Sequence, residues 1–176
     1  KTMEVTRGTR TLNQNYTAVI NGRQSVEIRP QVSGTITQIC IDEGAKVKKG
    51  QTLVIIDQVP YEAALQTAVA NVKNAEAAVA TARLTAESKE ELFKEHVVSD
   101  FDLQTARNSL FQAEATLAQA KADEINARNN LSYTEVKSPV DGVSGMLPYR
   151  VGALVDASIS TPLTTVSDDE EMYVYF

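Results

Sequence analysis

Two runs of heptads constrain this chain more than any other feature in it. From Pro60 to about Glu95 alanine dominates, and after Pro60 neither glycine nor proline interrupts the run. Leu65, Val72, Val79, Ala86 and Phe93 recur at seven-residue spacing, with Ala68, Ala75 and Ala82 in the alternate position. That is a coiled-coil seam with large residues at one core position and alanine at the other. Pro60 suits the first turn of such a helix, where its missing N–H costs nothing. A second seam follows, with Leu103, Leu110, Leu117 and Leu131 in one row, broken by Glu124, and Ala106, Ala113, Ala120 and Ala127 in the other. Alanine lets helix backbones approach closely, so two seams joined by a few residues make an antiparallel α-hairpin. At 1.5 Å per residue each arm reaches about 50 Å. Such an object is a projection, too thin to be a globular domain alone.

The stretch between the seams is KEHVVSDFD, Lys94 to Asp102. Ser99 is a strong N-cap for the second helix, and Asp102 stands at N3, a weaker form of the capping box. Val98 and Leu103 then occupy the N′ and N4 positions of a hydrophobic staple. Val98 is divided evenly between that local role and a contact with a partner. His96 and Val97 have no local account in the sequence, and adjacent apolar residues at an exposed reversal point to a partner.

The flanks of the hairpin read as strands. Residues 26–57 hold short β-branched runs (VEI, TITQICI, TLVIID) separated by Ser33-Gly34, Glu43-Gly44 and Lys49-Gly50, the pattern of a small sandwich or barrel. Before them, Val19 and Ile20 precede an Asn21-Gly22 turn signal. After Leu131 the strand pattern returns and echoes the first. IRPQVSG matches VKSPVDG, with Pro30 against Pro139 and Gly34 against Gly142. Gly44-Ala45 matches Gly152-Ala153, and Leu53 matches Leu163. Neither half has enough strands for a core, so the two are expected to fold together as one β-sandwich with pseudo-twofold symmetry, split by the hairpin.

Several function classes are disfavoured. The net charge of -6 argues against nucleic acid as a partner. No apolar run approaches the length of a membrane span. Cys40 is the only cysteine, which excludes an internal disulfide, and it reads as a buried small hydrophobe in ITQICIDEG rather than a reactive thiol. His96 is the only histidine, so a metal site or a Ser-His-Asp set lacks parts; Asp100 and Asp102 read as helix-start carboxylates. Glu87, Glu90 and Glu91 read as a solvated helix face. No cofactor, metal or catalytic residue is expected. The chain opens on Lys1 and ends on MYVYF, a strand-like run with no partner downstream, so we expect a fragment of a longer protein.

The turns P-x-V-S-G and E-G-A-x-V-x-x-G-Q-x-L resemble those of the biotinyl/lipoyl domain. VEIRPQVSGTI, GQTLVIIDQVPYEAAL, NLSYTEVKSPVDGVSG and VGALVDA, with the hairpin between them, resemble the periplasmic adaptors (membrane fusion proteins) of RND-type tripartite efflux pumps. The resemblance spans residues 17–176. It implies an α+β fold: a split lipoyl-like β-sandwich interrupted by a long antiparallel α-helical coiled-coil hairpin, plus strands of an incomplete β-barrel. The expected divisions are partial barrel strands over 1–25, the first lipoyl half over 26–59, the hairpin over 60–131, the second half over 132–168 and the start of a barrel strand over 169–176.

The resemblance also implies partners: an inner-membrane RND transporter, an outer-membrane TolC-like channel, and further copies of the chain in a hexameric ring. It implies a periplasmic location, with the parent held at the inner membrane by a lipid or an N-terminal anchor outside this sequence. The family's hairpin tip carries an Arg, a Leu four residues later and a Ser seven after that. Leu92 and Ser99 match; the Arg position is Ser88, with Lys89 adjacent as a substitute that lacks the planar fork. The implied channel contacts are Lys89, Leu92, His96, Val97, Val98 and Ser99. Two other readings remain. An adaptor of an ABC-type exporter or secretion system keeps the fold and changes the partner, although hairpin length leans toward the RND type. A biotinyl/lipoyl carrier needs a lysine at the turn between the halves, where the hairpin stands instead; Lys46, Lys48 and Lys49 lie in a different loop.

Overall fold

The computed structural model describes the backbone of residues 19–175 and the side chains of residues 24–168. The elements in chain order are β1 (Val19–Ile28), β2 (Gly34–Ile39), β3 (Lys46–Val47), β4 (Thr52–Ile56), α1 (Val59–Lys94), α2 (Asp100–Tyr133), β5 (Glu135–Lys137), β6 (Gly142–Ser144), β7 (Leu154–Val155) and β8 (Thr164–Tyr175). One sheet has the order β1-β8-β6-β3, the other β5-β4-β2-β7. Exchanging each strand for its repeat partner (β1 for β5, β2 for β6, β3 for β7, β4 for β8) turns the first order into the second. The halves are therefore interleaved, and each sheet takes two strands from each side of the hairpin.

The repeat is visible down to single hydrogen bonds. Gly44 N donates to Ser144 O at 2.9 Å, and its counterpart Gly152 N donates to Ile36 O at 2.8 Å. Both glycines hold a positive φ, 76° and 93°, which tightens each loop before its edge strand. A core of Ile36, Leu53, Val54, Ile56, Val155, Leu163 and Val166 closes the space between the sheets. Gly142 lies where β6 passes close against β8: a Cβ there would stand 2.4 Å from Ser167 O.

Two expectations are corrected here, and the closing run gains a partner. Asn21-Gly22 is not a turn. It lies inside β1 opposite Tyr173 and Met172, beside a register shift between Gly22 and Gln24, so the glycine serves a bulge. Met172–Tyr175 of the closing run pairs upstream with β1, with Val19 opposite Tyr175 and Ile20 opposite Val174. Cys40 is exposed, not buried. Strict alternation from buried Ile36 would turn residue 40 inward, but the register of β2 against β4 shifts between Ile36 and Gln38 and reverses the phase. The barrel strands expected before residue 19 lie outside the described residues.

The hairpin follows the seams. α1 buries Ala68, Val72, Ala75, Val79 and Ala86; α2 buries Leu103 and Ala106. Leu110, Ala113, Leu117, Ala120, Glu124, Ala127 and Leu131 are half-buried along the same line. Phe93 departs from its row and is 37% exposed near the end of α1. Three ion pairs cross between the helices: Arg107–Glu90 at 3.2 Å, Arg83–Glu114 at 3.5 Å and Lys121–Glu76 at 3.8 Å. Each is solvent-exposed, so each adds at most about 1 kcal/mol. Their value is register: every pair is equidistant in sequence from the Val98–Ser99 junction, which makes that peptide the centre of the reversal.

The base is bolted to the sandwich. Ile56 N donates to Thr134 O at 2.9 Å and Asp57 N to Thr35 O at 2.9 Å. The Tyr61 hydroxyl donates to Ser33 O at 2.6 Å, and Gln58 Nε2 donates to the buried Thr134 hydroxyl at 3.1 Å. β4 and β5 are hydrogen-bonded neighbours, so the hairpin occupies the turn where a carrier domain would present its lysine.

Candidate partner-docking tip

The tip is built by two helix caps set back to back. α1 ends at Lys94, and His96 follows with φ 58°, the left-handed conformation. His96 N donates to Phe93 O at 3.0 Å, and Val97 N donates to Leu92 O at 2.9 Å. This pair of bonds is the Schellman closure, in which the residue usually found at His96 is glycine. Histidine is among the side chains that tolerate this region better than most. Val97 and Leu92 thereby occupy the two positions whose apolar contact accompanies the motif. His96 and Val97, left without a local role by the sequence, both have one.

α2 opens with Ser99. Its hydroxyl accepts from Asp102 N at 3.1 Å and donates to Asp102 Oδ2 at 2.6 Å, while Ser99 N donates to the same oxygen at 3.2 Å. Both halves of the capping box are made. The hydrogen bonds from Ser99 hold the Asp102 carboxyl below its usual range, with a smaller contribution from the Lys89 ammonium. Val98 is half-buried and Leu103 buried, as a staple requires.

The six predicted residues are therefore gathered at one end of the hairpin. Lys89 is half-buried on α1 and faces Asp102 electrostatically. Leu92, His96 and Ser99 are exposed, and Val97 is 67 % exposed. Ser88, where the family pattern has Arg, borders a shallow depression with Glu91, Leu92, Lys94 and Glu95. The rim of that depression is thus acidic on two sides, unlike a site presenting an arginine. Sequence reasoning missed Phe101, on the first turn of α2 and 78 % exposed, and the outward turn of Phe93. An aromatic two residues past an N-cap serine, out of phase with the seam, was the available signal for Phe101. Leu92, Phe93, Val97 and Phe101 give the tip an apolar cap held on rigid backbone.

Among the described residues, no cluster of three or more His, Cys, Asp or Glu is placed to hold a metal ion, and no helix is long and apolar enough to cross a membrane.

The comparisons with known proteins point one way. Residues 24–167 match the family described as RND MFP, barrel-sandwich hybrid domain. Over 148 residues the chain is 41% identical to multidrug resistance protein MdtE of Escherichia coli K12, covering 84% of this chain and 38% of that protein. It is 35% identical over 162 residues to multidrug efflux pump subunit AcrA of the same strain, covering 90% of this chain and 41% of AcrA. A crystal structure of a MacA-MexA chimera carrying the α-hairpin domain of Pseudomonas aeruginosa MexA superposes with a TM-score of 0.66 at 32% identity, over 89% of this chain and 52% of the chimera. The chain spans less than half the length of the two curated relatives. Interleaved sheets, a hairpin at the β4–β5 turn and a match over nearly all of the sandwich and hairpin lead to one assignment: the chain belongs to the RND membrane fusion protein family and contains its barrel-sandwich hybrid domain.

Proposed function

We propose that this chain is the sandwich and hairpin of a periplasmic adaptor that bridges an inner-membrane RND-type transporter and an outer-membrane TolC-like channel, for efflux of drugs or other small molecules. The role is mechanical. Copies of the chain form a ring, in the full assembly a hexamer, and the hairpin tips seat on the helices at the channel's mouth. Lys89, Leu92, His96, Val97, Val98 and Ser99 carry that contact, joined by Phe101. No residue performs catalysis in this reading, and the parent is tethered at the inner membrane outside this sequence.

One observation supports the reading above the others. The reversal at Val98–Ser99 is capped on both sides without any partner, yet Val97 and Phe101 remain exposed at its apex. A tip that is ordered in advance loses little entropy on docking, which favours a weak but repeated contact at the end of a long lever. The test is photocrosslinking in cells, with a photoreactive residue at Val97 of the full-length protein and a control at Asn74, exposed in mid-hairpin. Capture of an outer-membrane channel from Val97 and not from Asn74 is the expected result. Equal capture from both positions, or none from Val97 in a working pump, overturns the docking role.

A further inference from the structure

The two halves of the sandwich share a backbone but not a surface. Gly44 and Gly152 are equivalent, with matching positive φ and matching hydrogen bonds to the opposite half. Counting from these glycines aligns Asp42 with Arg150, Glu43 with Val151, Lys46 with Leu154 and Lys48 with Asp156. At the first and last of these positions the charge changes sign between the halves. At the middle two, a charge is replaced by an exposed aliphatic: Val151 is 61% exposed and Leu154 75%. The first-half face is not wholly polar. Leu147 N donates to Glu43 Oε1 at 3.0 Å, which brings the neighbouring Met146, 78% exposed, to the edge of that face.

Asp42, Lys48 and Arg150 make no ion pair among the described residues. Asp156 accepts from Ser158, through its backbone N–H and its hydroxyl, both at 2.6 Å, and from the backbone of Ile159, but from no cation among the described residues. Each face thus carries an unpaired charge pattern opposite to that of the other, beside an exposed apolar residue.

We propose that the Asp42–Lys48 face of one copy docks on the Arg150–Asp156 face of a second copy of this chain. Arg150 meets the partner's acidic Asp42 position, Asp156 meets Lys48, and Val151 and Leu154 cover Met146 and the stem of Lys46. The pseudo-twofold supplies the geometry: equivalent backbones present equivalent shapes, and the sign change converts self-repulsion into attraction. Because the two faces differ, the contact is heterologous, the kind that propagates from copy to copy until a ring closes. The proposal rests on the adaptor reading for the existence of a ring and adds which surfaces meet in it.

The test uses the full-length protein with Cys40→Ser, Met146→Cys and Val151→Cys, all at exposed positions. Oxidation is expected to give disulfide-linked multimers, whereas Met146→Cys alone gives none. Adding Asp42→Arg, or Arg150→Asp, should lower the yield about tenfold through like-charge contact. Combining the two reversals should restore it. No multimers above the single-cysteine control, or a yield indifferent to the reversals, overturns the proposal. Repeating the Val97 crosslink in the same variants separates the readings: capture of the channel with no multimers refutes this interface alone, while loss of capture in the unreversed protein refutes the adaptor role.

Discussion

His96→Gly separates the structural from the docking role of the hairpin tip, because the two pull in opposite directions. His96 holds φ 58° with its side chain exposed. A non-glycine residue in the left-handed region costs about 1–2 kcal/mol. Glycine removes that cost and reintroduces unfolded-state freedom worth roughly 0.5–1 kcal/mol. The balance is a gain of about 0.5–1 kcal/mol for a chain whose Schellman bonds are kept. For a domain of this size that is a rise of about 1–4 °C in Tm. Urea denaturation gives the global value, and hydrogen exchange at Val97 N–H, bonded to Leu92 O, gives the local one. Both should increase in stability. Capture of the channel from a photoreactive residue at Val97 should fall if the imidazole is part of the contact. A His96→Gly protein that is less stable, or exchanges faster at Val97, refutes the account of the tip as a closed helix cap.

Three further predictions concern the cap of α2 and the sandwich. Ser99→Ala removes the cap of α2 and should cost about 1 kcal/mol by urea denaturation. Asp102 has its pKa lowered by Ser99, so its contribution is complete above the ordinary value of 3.8 and is lost as pH falls through the lower folded value. The stability difference between the native chain and Asp102→Asn should therefore be constant near neutrality and shrink as the solution is acidified below 3.8. Gly142→Ala places a Cβ 2.4 Å from Ser167 O and 2.8 Å from Ser167 C, both backbone atoms. It should cost about 3 kcal/mol or more, against about 1 kcal/mol for Gly145→Ala, whose nearest neighbour is Thr165 O at 3.2 Å. Their urea midpoints give the comparison.

The hairpin was legible because a heptad seam is a one-dimensional signal. The rows through Val72 and Ala75, and through Leu103 and Ala106, needed only the helical period. The repeat was legible because matched glycines mark matched loops. What escaped notice depended on events between strands or at ends. Cys40 turned outward through a register shift that alternation along one strand does not contain. The left-handed His96 stood where glycine is the usual marker, and the cap went unread. The register of the helices was in fact written in the sequence. Glu76, Arg83 and Glu90 on one arm and Arg107, Glu114 and Lys121 on the other repeat every seven residues with alternating sign, and only an antiparallel reading brings each charge to its opposite. The candidate tip was found by place, since reversals are exposed, while Phe101 was overlooked because it lies off the seam.

The interleaving of the sheets bears on how the molecule assembles itself. β4 cannot meet β5, nor β3 meet β6, until the chain has travelled from residue 57 to residue 134 and back. As a slack loop, that segment would resist closure by an entropy that grows with its length. The hairpin contacts begin beside the reversal and extend from it one turn at a time, so they are local and fast to form. Once zipped, the helices deliver Ile56 and Thr134 to each other at hydrogen-bonding distance. The arm that reaches outward in the finished molecule is thus, during folding, the clasp that draws two incomplete half-sheets into one core. A weakened cap at Ser99 should register in the refolding rate of the sandwich, at the far end of the hairpin from the substitution.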